Sequence, residues 1–127
     1  MEKIYKRQPT IRTLPTHSNI NSNGHIFGGW ILSQMDMAAG IEAIRFAGGP
    51  VATVAINAMK FHAPVNIGDW MSVYTDITKT GRTSITIHIV VTVVGRGEEK
   101  ETMVTEGDFV FVALDENHRP LELKKPP

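Results

Sequence analysis

Alternation with a period of two fills the second half of the chain, and it begins only after a long apolar run has stopped at Gly48-Gly49-Pro50. Ser84 to Val94 is the clearest case, with Ile85, Ile87, Ile89, Val91 and Val93 on one face and Thr86, His88 and Thr92 on the other. Similar patterns predict strands over Val51 to Val65, Trp70 to Lys79 and Glu101 to Leu114. They are separated by Asn66-Ile67-Gly68-Asp69, Thr80-Gly81-Arg82-Thr83 and the hairpin loop Gly95 to Lys100. A short strand near Thr10 to Leu14, stopped by Pro15, precedes them. Between that strand and the others, Thr16 to Gly29 is rich in Asn, Ser, Gly and His, which is loop chemistry of a length that suggests a binding role. The apolar run itself predicts a helix over Trp30 to Ala47, about 27 Å long. Only Ser33, Gln34, Asp36, Glu42 and Arg45 interrupt its apolar and glycine positions, so most of its circumference requires cover. The economical packing is α+β: one long central helix wrapped by a curved antiparallel sheet of five strands. A single such layer leaves a helix flank and a sheet edge open, which predicts self-association.

Composition narrows the class of protein. With 127 residues, 42% hydrophobic and 20% charged, the chain has the balance of a single globular domain, with a core over about residues 10–115 and a short tail over 116–127. Formal net charge is zero and basic residues gather only at the ends, as Lys3, Lys6 and Arg7 and as Lys124 and Lys125, so no nucleic-acid or membrane partner is expected. Zero cysteines exclude disulfides, thiolate metal sites and cysteine nucleophiles. His17, His62, His88 and His118 show no ligand spacing, so no metal is expected. The charged and proline-containing N-terminal stretch does not read as a signal peptide, and a cytoplasmic address is the expectation.

The candidate chemistry sits at the entrance to the helix. Asn23-Gly24-His25-Ile26-Phe27-Gly28-Gly29-Trp30 is a polar, glycine-rich turn that opens an apolar helix, with the carboxylate of Asp36 two turns inside. Unpaired backbone N–H groups at such a start can polarise a carbonyl, and a carboxylate among apolar neighbours can act as base or nucleophile. The pair points to acyl chemistry.

This stretch, together with Ile31 to Met37, Val51-Ala52-Thr53-Val54-Ala55, Phe61-His62-Ala63-Pro64-Val65, Gly68-Asp69, Gly81-Arg82-Thr83-Ser84, Val104-Thr105-Glu106 and Phe109 to Asp115, resembles the YciA-type acyl-CoA thioesterases. The resemblance covers about residues 12–115 in consistent order. It implies a hotdog fold, hydrolysis of acyl-CoA to a free acid and coenzyme A, and active sites between two subunits, commonly in a trimer of dimers. It implies no cofactor beyond the coenzyme A of the substrate. Asp36 matches the family's catalytic carboxylate, with amides at Gly28 and Gly29 holding the oxyanion and Asn23 placing water or substrate. Gly81, Arg82, Thr83 and Ser84 match the segment that contacts coenzyme A, where backbone N–H groups and the Arg82 fork would face phosphate. Lys60 would add charge near the nucleotide, and His62 would line the site. An acyl tunnel would draw on Met35, Met37, Ile41, Met59 and Phe61. Asp69 reads more simply as a turn residue.

His25 departs from the pattern, since a short Asp or Asn is usual there. An imidazole can donate to an oxyanion or relay a proton. With Asp36 it also follows the order of hotdog hydroxyacyl dehydratases, which makes dehydration the alternative enzyme reading. A non-enzymatic acyl-CoA binder is a third reading, against which the retained Asp36 argues.

Overall fold

A computed structural model describes residues 7–124; the predicted basic ends Lys3, Lys6 and Lys125 lie outside the described residues. The strands are β1 (Ile11–Thr13), β2 (Val51–Phe61), β3 (Trp70–Thr80), β4 (Ser84–Val94) and β5 (Thr102–Ala113), and the one long helix, α1, spans Gly28–Ala47. A 3-10 turn at His17–Asn19 interrupts the long loop. The five strands form one antiparallel sheet in the order β1-β3-β4-β5-β2.

Helix α1 lies across one face of this sheet. Ile31, Met35, Ala38, Ala39 and Ala43 are its buried residues, a stripe at intervals of three or four positions apart from the adjacent Ala38 and Ala39, and three of the five are alanines that let the sheet approach closely. Opposite them stand Ile85, Ile87, Ile89 and Val91 of β4 with Phe109 and Phe111 of β5, all buried. The helix ends as predicted, at Gly48, whose φ of 75° is the left-handed conformation glycine favours and whose N–H reaches the carbonyl of Ile44 at 2.8 Å.

Three expectations are corrected. The helix begins at Gly28 and not at Trp30, so Gly28 and Gly29 form its first turn; the low helix propensity of glycine pushes the predicted start inward. β2 ends at Phe61, because His62 and Ala63 both donate to the carbonyl of Val104 and Pro64 has no N–H with which to continue. Finally, the helix is not covered on most sides within one chain. Met37, Ile41, Ile44 and Phe46 stay exposed, and Val54, Ile56 and Phe61 are exposed on β2. β2 is an edge strand, and no strand among the described residues pairs with its outer side.

The other sheet face is mixed, with Val90 and Val110 beside Ser72, Tyr74 and Thr92. Tyr74 donates a 2.7 Å hydrogen bond to Glu101, and burial together with that bond and the Glu101 charge raises its pKa above the ordinary 10.0, against the opposing influence of Arg12. A raised folded value means that the stabilisation is complete below pH 10.0 and disappears as pH rises through the folded value. Phenolate absorbance should therefore show a component titrating above the ordinary range that Tyr74→Phe removes; a wild type with only ordinary titration contradicts the buried bond.

Candidate active site

The loop before α1 is held by its own amides. Asn21 exchanges bonds with His25, its N–H donating to the His25 carbonyl at 2.7 Å while its Oδ1 accepts from the N–H groups of Asn23 and His25. Ile26, buried, donates to Val65 at 2.8 Å and pins the loop beside the chain that follows β2. A cavity of about 350 Å³ opens there, lined by His25, Gly28, Ile31, Phe61 and His62 among others. The predicted site residues His25, Gly28 and His62 thus meet in one place. Asn23 is exposed at the loop's tip, and its backbone N–H is spent within the loop.

Phe27 is the N-cap of α1 and offers no side-chain cap, so the first amides depend on other partners. Those of Gly28 and Gly29 have no hydrogen bond among the described residues, whereas Trp30 and Ile31 donate to the Phe27 carbonyl. Two free N–H groups at the positive end of a 20-residue helix make a ready site for a developing oxyanion.

Asp36 lies elsewhere. Eight residues of helix separate it from Gly28, about 12 Å along the axis. Its Oδ1 accepts a 2.6 Å bond from Thr53 Oγ1 of β2, a partner that sequence reading missed. The expectation of a carboxylate enclosed by apolar neighbours is not met within one chain: Asp36 is only half-buried, on the side of the helix next to the open edge of β2.

The proposed coenzyme A segment stands at the far end of α1. Gly81 and Arg82 line a second cavity, of about 440 Å³, with Phe46, Thr80, Glu122, Leu123 and Lys124. The Gly81 N–H donates to the Ser84 carbonyl at 2.8 Å, so it is not available to a phosphate as expected, and Thr83 and Arg82 offer their carbonyls to Ala113 and Leu123. What remains for an anion is the exposed Arg82 and Lys124, the latter a residue read from sequence only as part of a basic end. Lys60 is not near this segment within one chain. It pairs in register with Glu106 and Ser84 with Val112, six residues apart along β5, which is about 20 Å. His62 Nε2 donates to the Glu106 carboxylate at 2.7 Å and so faces that acidic group as well as the cavity.

The tunnel residues also separate. Met35 is fully buried in the core and Met59 packs against it over Gly107, while Met37 and Ile41 are exposed on the helix flank; only Phe61 lines the first cavity. Asp69 is a turn residue as read, accepting from the Asn66 N–H at 2.8 Å. Among the described residues no group of three or more His, Asp or Glu side chains is arranged to hold a metal ion, and no helix is long and apolar enough to cross a membrane.

Known proteins share this sequence pattern and fold. The Thioesterase superfamily pattern matches residues 23–100. The acyl-CoA thioester hydrolase YciA of Salmonella typhimurium is 38% identical over 97% of this chain and 95% of its own length. A hexameric thioesterase from Yersinia pestis superposes with a TM-score of 0.90 at 39% identity, covering 95% of this chain and 98% of that one. A hexameric broad-specificity acyl-coenzyme A thioesterase, solved as an aspartate-to-alanine mutant, superposes with a TM-score of 0.89 at 41% identity over 94% of this chain and 88% of that one. The family pattern, the full-length relative and a helix laid on a five-stranded antiparallel sheet agree: the chain belongs to the thioesterase superfamily, with the hotdog fold, among the YciA-type acyl-CoA thioester hydrolases.

Proposed function

We propose that the protein hydrolyses acyl-CoA thioesters to a free acid and coenzyme A at sites made jointly by two subunits. The observation that carries the sharing is a distance. About 12 Å of helix lies between Asp36 and the free amides of Gly28 and Gly29, too far for one chain's two groups to act on the same carbonyl. Asp36 faces the open edge of β2, so a second copy placed along that edge can bring its own helix entrance to it. The apolar surface of Met37, Ile41, Val54 and Ile56 supports such a contact.

In the shared site Asp36 of one subunit accepts a proton from water, and the water oxygen bonds to the thioester carbon while the Gly28 and Gly29 amides of the other subunit hold the oxyanion. Collapse of the tetrahedral species breaks the C–S bond, and the leaving thiolate takes the proton back from Asp36. Direct attack by the carboxylate is the second form of the same proposal. The step balances without a resident cofactor or metal; coenzyme A enters as part of the substrate. Arg82 and Lys124 are the proposed contacts for its phosphates. If Lys60 also contacts the nucleotide, it does so from the other subunit.

The relatives solved as hexamers support a trimer of dimers with the dimer as active unit. A cytoplasmic address belongs to the same proposal, because the charged nucleotide of the substrate does not cross membranes unaided. Thiol release from acyl-CoAs of two to sixteen carbons tests it, with no background from a chain that contains no cysteine. Release establishes the hydrolase. Tight coenzyme A binding without release from any member would instead leave a binding protein.

A further inference from the structure

The loop histidine that departs from the family pattern is not free to orient itself. Nδ1 of His25 lies 2.9 Å from Oδ1 of Asn66, a residue 41 positions later in the chain. Both ends of this contact are fixed by backbone bonds. The main chain of His25 is held by Asn21, and Ile26 is tied to Val65, the residue before Asn66. Asn66 opens the turn 66–69, in which the Asp69 carboxylate accepts from its N–H at 2.8 Å and the Asp69 N–H donates to its carbonyl at 3.1 Å. Asp69 is buried, and the Arg96 guanidinium packs against Gly68 of the same turn, so the turn has little room to shift.

An amide oxygen only accepts, so the atom facing it, Nδ1, carries the hydrogen. In the neutral ring Nε2 is then the acceptor, and no side chain among the described residues bonds to it. The ring lines the same cavity as Gly28. This removes one of the roles open to His25: a neutral ring held this way cannot donate to an oxyanion. The other titratable groups nearby are engaged. His62, across the cavity, is bonded to Glu106, and the Asp69 carboxylate is used on the turn.

We infer that Asn66 is a positioning residue that fixes His25 as the Nδ1–H imidazole, so that Nε2 accepts the second hydrogen of the water whose first hydrogen goes to the partner's catalytic carboxylate. The inference rests on the shared hydrolytic site proposed above. Two acceptors on one water aim its lone pair at the carbonyl carbon, which raises turnover without adding binding energy for the substrate.

The test joins a spectroscopic readout to kinetics, in the intact oligomer. Long-range proton–nitrogen correlation of the imidazole rings, at a pH of about 8.5 where ordinary imidazoles are neutral, reports which nitrogen bears the hydrogen; His25→Ala identifies the His25 signals among the five histidines. Wild type should show the Nδ1–H form. Asn66→Leu should lose it and lower kcat about tenfold with KM within twofold, and Asn66→Asp, which keeps the acceptor, should restore both. An Nε2–H ring in wild type, as an Asn66 amide turned end for end would produce, overturns the inference. So does an Asn66→Leu enzyme with unchanged kcat, and in that case the hydrolase reading stands. A wild type that releases no thiol overturns the hydrolase reading and with it the role in positioning water, while the tautomer still reports whether Asn66 holds the ring.

Discussion

Asp36→Ala lowers acyl-CoA turnover at least a hundredfold, about 2.7 kcal/mol or more of lost transition-state stabilisation, while the oligomer stays folded. The carboxylate is half-exposed in one chain and among the described residues its only side-chain partner is Thr53, so its removal leaves no buried group stranded and opens no core cavity. The loss is therefore catalytic and not structural. Thr53→Val separates the two functions of the site. It removes the 2.6 Å bond that orients the carboxylate but leaves the base, so a smaller loss in kcat is expected. Thiol release together with a thermal melt checks both variants; an Asp36→Ala enzyme within fivefold of wild type would remove Asp36 from the mechanism.

Gly28→Pro is the second large effect, and the local backbone makes it a clean deletion of one amide. Proline is favoured at the first helical position, and Gly28 is the first residue of α1. The residue before it, Phe27, already has φ −59° and ψ 127°, the extended conformation that a following proline requires. A Cβ at Gly28 would meet the Phe61 ring at 3.8 Å, ordinary contact. Losing one oxyanion donor should cost roughly a hundredfold to a thousandfold in kcat. Mixing this variant with Asp36→Ala then tests the sharing of sites. A mixed dimer has one site carrying both changes and one carrying neither, so random reassociation should return about a quarter of the wild-type rate from two inactive parents. No recovery after verified subunit exchange would place both groups in the same chain's site.

The strands of this fold were legible because each writes its own period. β4 alternates between buried and half-buried positions from Ser84 to Ile89 as read, whereas Val90 and Thr92 of its other face are buried too, and the Gly48-Gly49-Pro50 stop falls where the helix ends. What sequence periodicity does not contain is the count of residues opposite one another. β2 slips register against β5 between Thr53 and Ala55 and again between Asn57 and Lys60, and neither irregularity disturbs the apolar pattern enough to be seen. The site was legible in the same partial way. His25 and Gly28 are three residues apart at the helix entrance, so their meeting is local. Thr53 and Asn66 are 17 and 41 residues from the groups they bond, and threonine in a strand or asparagine in a turn is so ordinary that only the fold reveals the contact. The expected enclosure of Asp36 failed for a different reason: an apolar helix flank records that something covers it, and says nothing of whether the cover comes from the same chain.

The open edge of β2 also has a consequence for the unfolded chain. Val51 to Met59 contains no charge and no proline and is rich in valine, alanine and isoleucine, the composition of segments that stack into fibrils once freed from their fold. In the native sheet the two register slips, and Ala58 with its φ of 53°, break the ladder that a stray strand would extend. Lys60 closes the stretch with a charge on the same strand. On that reading its position answers to solubility during synthesis and refolding, before any substrate is met.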